Sequence, residues 1–129
     1  MLKLCICCSG KRFDQCCEPL LNKQFYAKTP VALMRSRYSA FALGGFGEYL
    51  LSTWGITGAM SLTVAELSTR TQNWQGLEII SKSQQGDHGY VEFKALFLDE
   101  GNALKVHHEH SKFERMSGRW FYINGDVHG

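Results

Sequence analysis

The sequence predicts an α+β protein, with a small cysteine-rich segment at residues 1–23 followed by a body at residues 24–129 in which three helices precede an antiparallel sheet of about four strands. Three observations carry this reading. All five cysteines fall within residues 5–17, apolar residues recur at three-to-four spacing over residues 30–43, and from Trp74 onward the spacing changes to two. At 129 residues the chain suits one domain with a short appended module. Only two prolines and an ordinary share of charged residues argue against disorder. No apolar run reaches bilayer-crossing length and the first residues lack a secretory pattern, so the expected compartment is the cytoplasm and no membrane contact is expected.

The cysteine spacing is C-x-C-x8-C-C, formed by Cys5, Cys7, Cys16 and Cys17. A disulfide framework spreads its cysteines to staple distant loops, whereas a metal site gathers its ligands locally. Four thiolates around Zn²⁺ form a closed tetrahedral site, with no open position for water or substrate, so the zinc expected here is structural. The competing reading is a cluster of free or redox-active thiols; it lacks the C-x-x-C spacing, and the vicinal pair Cys16-Cys17 makes a poor disulfide. Cys8 is surplus, either an inert neighbour or a ligand able to replace Cys7. Between the pairs, Ser9-Gly10 supplies a turn, Lys11 and Arg12 set cations beside the anionic cluster, and Phe13 offers an apolar cap.

In the body, Thr29-Pro30 reads as an N-cap followed by proline at the first helical position. Leu33, Met34, Tyr38, Phe41 and Ala42 form an apolar stripe, with Arg35, Ser36 and Ser39 off it, and Gly44-Gly45 ends this helix over 30–43. Shorter helices are predicted over about 46–53 and from Thr63 to Leu67. The strand candidates are Leu77–Ser83, Tyr90–Phe97, Ala103–Arg115 and Arg119–Asn124, separated by turns at Gln85-Gly86-Asp87, Asp99-Glu100-Gly101-Asn102 and Ser117-Gly118. In the second strand Val91, Phe93, Ala95 and Phe97 share one face.

Charge is uneven. Residues 1–37 hold seven Lys/Arg against Asp14 and Glu18, a net +5, and the rest carries −3. Four zinc-bound thiolates bring the basic segment to about +3, a mild bias toward acidic partners that falls short of a nucleic-acid footprint. Nucleic acid is expected as a partner only within a ribosome.

Residues 5–17 resemble the SEC-C motif, C-P-C-G-S-G-x-x-[FY]-x-x-C-C, the zinc module at the carboxyl terminus of the SecA translocase motor, with Ile6 in place of the usual Pro and Cys8 in place of Gly. If that Gly serves a positive φ, Cys8 is strained. Leu33-Met34-Arg35-Ser36-Arg37-Tyr38-Ser39-Ala40-Phe41, Trp74-x-Gly76-Leu77, Gly89-Tyr90-Val91-Glu92-Phe93, His108-Glu109-His110-Ser111-Lys112-Phe113 and Gly118-Arg119-Trp120-Phe121-Tyr122 resemble the YchJ-type family. Its members join a SEC-C motif to a nuclear transport factor 2-like domain. The resemblance implies a cone, that is, a bent antiparallel sheet with helices packed in its mouth. His110 stands where Arg is usual, and the second SEC-C motif of many relatives is missing. The family has no assigned activity.

His107-His108-Glu109-His110 offers ligand-type side chains, but on a strand His108 and His110 share one face and His107 and Glu109 the other. With no third ligand evident for the first pair, a solvated face that also carries Lys112 and Glu114 is the favoured reading. Phe113 sets the inward parity, so Glu109 and Ser111 should point into the cone. A carboxylate there needs a cation, for which Arg37 is the first candidate and Arg35 the second. Such a pair either fixes the helix on the sheet or, with Tyr38 and Ser111, lines a ligand pocket. With no nucleophile or phosphate-loop motif, no catalytic residue is assigned. The preferred function is a non-enzymatic interaction module that docks on a protein or ribosomal surface through Lys11, Arg12 and Phe13. The SEC-C resemblance implies this, because in the translocase the module contacts partners such as an export chaperone. The alternative is a small-molecule-binding or enzymatic cone built around Arg37 and Glu109.

Overall fold

The computed structural model describes residues 3–55, 63–70 and 72–128, so the ends of the two predicted segments, residues 1, 2 and 129, lie outside it. The amino-terminal segment is a knuckle. Leu4 and Arg12 bridge antiparallel, a 3-10 turn spans Phe13–Gln15, and helix α1 covers Glu18–Leu21, an element the sequence did not predict. Helix α2 runs Pro30–Leu43 as the cap signals predict: Thr29 Oγ1 accepts the Ala32 N–H at 3.0 Å, and Gly44 ends the helix at φ +76°. Helices α3 (Gly47–Ser52) and α4 (Val64–Ser68) follow.

Strands β1 (Asn73–Gln85), β2 (His88–Leu98), β3 (Leu104–Met116) and β4 (Arg119–His128) form one antiparallel sheet in the order β1-β2-β3-β4. Each predicted strand is present; β3 is shifted by one residue, and β1, β2 and β4 are longer than predicted, because exposed hairpin arms continue the hydrogen-bond ladder. The β3–β4 turn is Ser117-Gly118 with both φ positive, matching the twist that two-residue hairpins favour. Bulges sit between Trp74 and Gly76 and between Ile79 and Ser81 of β1, and at Lys112/Phe113 of the β3–β4 pair. Such bulges bend and coil a sheet.

Helix α2 departs from the amphipathic expectation. Nine of its fourteen residues are buried, including Ser36, Arg37 and Ser39, so no face of it is left as a solvated stripe. The physical reason is that α2 is covered on two sides. Leu33, Met34 and Tyr38 pack on the sheet, while Ser39 meets the knuckle cysteines and Ser36 bonds to the Tyr49 hydroxyl at 2.6 Å. Cys5, Cys7, Cys17 and Leu21 belong to the same buried core as Leu50, Val91, Phe113 and Trp120.

Candidate functional site

The knuckle gathers its four thiols at one point. The Sγ atoms of Cys5, Cys7, Cys16 and Cys17 all lie within 4.8 Å of one another, and three of the four residues are buried. The Cys7–Cys16 and Cys16–Cys17 sulfur separations are 3.6 and 3.9 Å. Four sulfurs at about 2.3 Å from a tetrahedral metal stand about 3.8 Å apart, so the donor set fits a metal ion and no disulfide. Among the described residues this is the one such group whose ligand atoms already converge. Hydroxyls orient the thiols: Ser9 Oγ is 3.2 Å from Cys16 Sγ, and Ser39 Oγ is 3.3 Å from Cys17 Sγ. A hydrogen bond from Cys17 holds the Cys7 thiol well below its ordinary pKa and raises that of Cys17 in turn. Cys8 is exposed and adopts φ +65°, the left-handed conformation inferred from the glycine it replaces.

The second candidate is a cavity of about 330 Å³ between α2 and the concave face of the sheet. Met34, Arg37, Tyr38 and Phe41 of α2 form one wall; Trp54, Trp74, Phe93, His107, Glu109 and Tyr122 complete it. The β3 parity is as expected, since Phe113 and Ser111 are buried, Glu109 is 8% exposed, and all three face inward beside Val91, Phe93 and Ala95.

The partner of Glu109 is not the expected one. No arginine reaches its carboxylate: Arg37 Nη1 donates to Leu50 O at 2.8 Å and Thr53 Oγ1 at 2.6 Å, and Arg35 Nη1 donates to Cys7 O at 2.6 Å. The side chain two residues back takes that place. His107 Nε2 lies 2.8 Å from Glu109 Oε1, while Ser111 Oγ and the Tyr122 hydroxyl donate to Oε2 at 2.6 and 3.0 Å. Burial raises the Glu109 pKa, but the bonds from His107, Ser111 and Tyr122 outweigh it and hold the carboxyl below its usual range. An ionised carboxylate only accepts, so Nε2 of His107 carries the proton it donates and, in the neutral ring, Nδ1 is a proton acceptor. Tyr122 links the two predicted charges, with its hydroxyl on Glu109 and the Arg37 guanidinium 4.8 Å from its ring centroid. Burial lowers Arg37 to about 10, which keeps it charged at neutral pH.

One residue of this site had no readable signal. Gly125, opposite Ser111, lies directly beneath the Glu109 side chain, where a Cβ would come within 2.1 Å of Oε2. Tyr38, a pocket candidate from the sequence, is one of the cavity's lining residues, while its hydroxyl is buried without a hydrogen-bond partner among the described residues, and burial pushes its pKa up to about 12. His107 could have been found, because residues i and i+2 of a strand share a face. On the outer face His108 and His110 both approach Glu92, at 2.7 and 3.1 Å, as an outward parity requires. Of the predicted docking residues, Lys11 is exposed, Arg12 pairs with Asp14 at 2.6 Å, and Phe13 packs against the core. No helix among the described residues is long and apolar enough to cross a membrane.

Comparison with known proteins supports both halves. A UPF0225 protein of Sodalis glossinidius is 40% identical over 126 residues, covering 94% of this chain and 81% of the relative. One of Pectobacterium carotovorum is 38% identical over 131 residues, covering 97% and 84%. The solution structure of a SEC-C motif containing protein from Rhodopseudomonas palustris superposes with a TM-score of 0.88 at 35% identity, covering 97% of this chain and 98% of that one. The crystal structure of a SEC-C motif containing protein from Psychrobacter arcticus gives 0.78 at 27% identity, covering 94% and 75%. The family model described as the YchJ middle NTF2-like domain matches residues 29–125, and the chain therefore belongs to this YchJ-type UPF0225 family.

Proposed function

We propose that this protein is a small-molecule-binding cone domain whose shape is maintained by a structural zinc knuckle. The observation that carries the reading is the open cavity of about 330 Å³ holding an ionised Glu109 and its partner His107. A filled, purely structural cone would occupy that volume with side chains. Apolar and aromatic walls with a few convergent polar groups are the usual make-up of a small-molecule site. Arg37 stays on its backbone and hydroxyl acceptors, and the His107–Glu109 pair is the site's proton-handling element.

Cys5, Cys7, Cys16 and Cys17 would hold Zn²⁺ in a closed site, which supplies rigidity and no open coordination position. Such thiolates persist in a reducing compartment such as the cytoplasm. Purified protein should carry about one zinc per chain, lost on Cys16→Ser and retained on Cys8→Ser. Full retention in the Cys16→Ser protein would refute the assignment.

The pocket is tested by screening a fragment library against isotope-labelled protein by NMR. Hits should shift the resonances of Tyr38, Trp74 and His107, and Glu109→Gln should weaken them. If every hit leaves those resonances unmoved, the reading fails. A second reading, the interaction module, is favoured by one observation: Leu4 and Ile6 are 67% and 37% exposed on the knuckle beside Lys3 and Lys11. An affinity capture from cell extract with wild-type protein and with Leu4→Asp tests it, and equal recovery of all partners by both would sink it.

A further inference from the structure

The wall of the concave cavity restricts the chemistry of what it can hold. Phe41, Trp54, Trp74 and Tyr122 line it, and each is only half-buried although α2 and the sheet pack around them. Rings left partly uncovered around one cavity form a flat-sided apolar wall on which another ring can stack. Trp74 is the hub of this wall. Its ring meets those of Tyr38, Phe97 and His107 at interplanar angles of 63°, 70° and 80°, edge-to-face contacts that fix how the rings are turned.

The charges in the wall are already compensated. Glu109 is 8% exposed and its oxygens are taken by His107, Ser111 and Tyr122. Arg37, the one cation among the described lining residues, is 3% exposed and donates to Leu50 O and Thr53 Oγ1. An entering carboxylate would lose its water beside Glu109 and reach no accessible cation. An entering ammonium would find the Glu109 oxygens occupied. Burying a charge without a partner is costly, so the wall selects a neutral ligand.

One polar group is left over. His107 gives its Nε2–H to Glu109, and the neutral ring then has a lone pair on Nδ1. No described residue donates to Nδ1, and it is not one of the buried side-chain polar atoms that lack a partner, which among the described residues are the Tyr38 hydroxyl and Trp120 Nε1. Nδ1 is therefore accessible, on a ring that lines the cavity, shares the inward face of β3 with Glu109 and is 31% exposed. Donation to a carboxylate through one ring nitrogen makes the other a stronger acceptor.

Resting on the reading of this cavity as a small-molecule site, we propose that its ligand is a neutral planar aromatic bearing one N–H or O–H, stacked on the ring wall and donating to Nδ1 of His107. The test titrates full-length, zinc-loaded, ¹⁵N-labelled protein with indole, with benzofuran, which has the same shape and no donor, and with indole-3-carboxylate. Indole should bind about 5-fold or more tightly than benzofuran, the cost of leaving an acceptor unpaired, and should move the His107 Nδ1 resonance upfield. Indole-3-carboxylate should bind more weakly than indole. In His107→Phe, with folding checked by circular dichroism, the preference for indole over benzofuran should vanish; a merely structural role for His107 would lower both affinities and keep their ratio. Equal binding of indole and benzofuran to the wild type, tighter binding of the carboxylate, or a preference that survives in folded His107→Phe overturns the proposed ligand class while leaving the cavity a binding site. If none of the three moves the Trp74 or His107 resonances although fragments of other chemistry do, the ligand class again fails alone; if no fragment of any kind moves them, the small-molecule reading falls with it.

Discussion

Glu109 is the residue on which the concave site turns, and its surroundings make opposed demands on neighbouring positions. The carboxylate needs its three donors above and an absent side chain below, so Gly125→Ala should displace it although the substitution adds one methyl group. The expected loss is about 1–3 kcal/mol in chemical denaturation, as for a broken charged hydrogen bond, and an unchanged midpoint would refute the steric account. Glu109 also has a pH signature. Its folded pKa is lowered, so its contribution to stability is present above the unfolded value of about 4.3 and is lost as pH falls through the folded one. Glu109→Gln should therefore be less stable than wild type at pH 6, and the gap should close in more acidic buffer. A gap that stays constant from pH 6 to pH 3 would mean the carboxyl titrates alike folded and unfolded. Cys8, at φ +65°, gives a further case. A left-handed conformation costs about 1–2 kcal/mol for an ordinary residue, while glycine's greater unfolded freedom costs about 0.5–1. Cys8→Gly should be neutral to stabilising, and a loss above about 1 kcal/mol would mark Cys8 as a ligand after all.

At the scale of elements, α2 is the shared part. Arg35 reaches up to the carbonyl of Cys7, Ser39 meets Cys17, and Tyr38 lines the cavity, so one helix touches both the thiol quartet and the cavity. The sequence leads one to expect that residues 24–129 fold without the knuckle. A protein of those residues would lose the Arg35–Cys7 and Ser39–Cys17 contacts and would remove Cys5, Cys7, Cys17 and Leu21 from the buried core. It should still give an α+β circular dichroism spectrum while melting about 5 °C or more below the full chain, since about 1 kcal/mol shifts the Tm of a domain this size by several degrees. Equal melting temperatures would show that the contact contributes nothing.

For the molecule as a whole, the consequence is coupling between the two sites. A metal bound to the folded state alone raises stability by mass action, and here the four cysteines that would hold it pack against the helix that forms one cavity wall. Stripping the metal with a chelator should lower Tm and also perturb the Tyr38 and Trp74 resonances. If Tm falls while those resonances stay fixed, the knuckle supports the fold without shaping the pocket.

The sequence by itself determined the order of elements from α2 onward, the thiol quartet and the β3 parity, because each depends on local spacing: cysteines within thirteen residues, a Thr-Pro helix start, and alternation along a strand around Phe113. His107 was legible by the same rule, but the expectation of an arginine partner obscured it. Only the tertiary structure decided the rest. That Arg37 is spent on Leu50 and Thr53, that Gly125 lies beneath Glu109, and that Ser36 and Ser39 are buried all depend on which segments meet across the fold. So does the cavity, because a void is the space that packed elements fail to fill, and no spacing within one element records it.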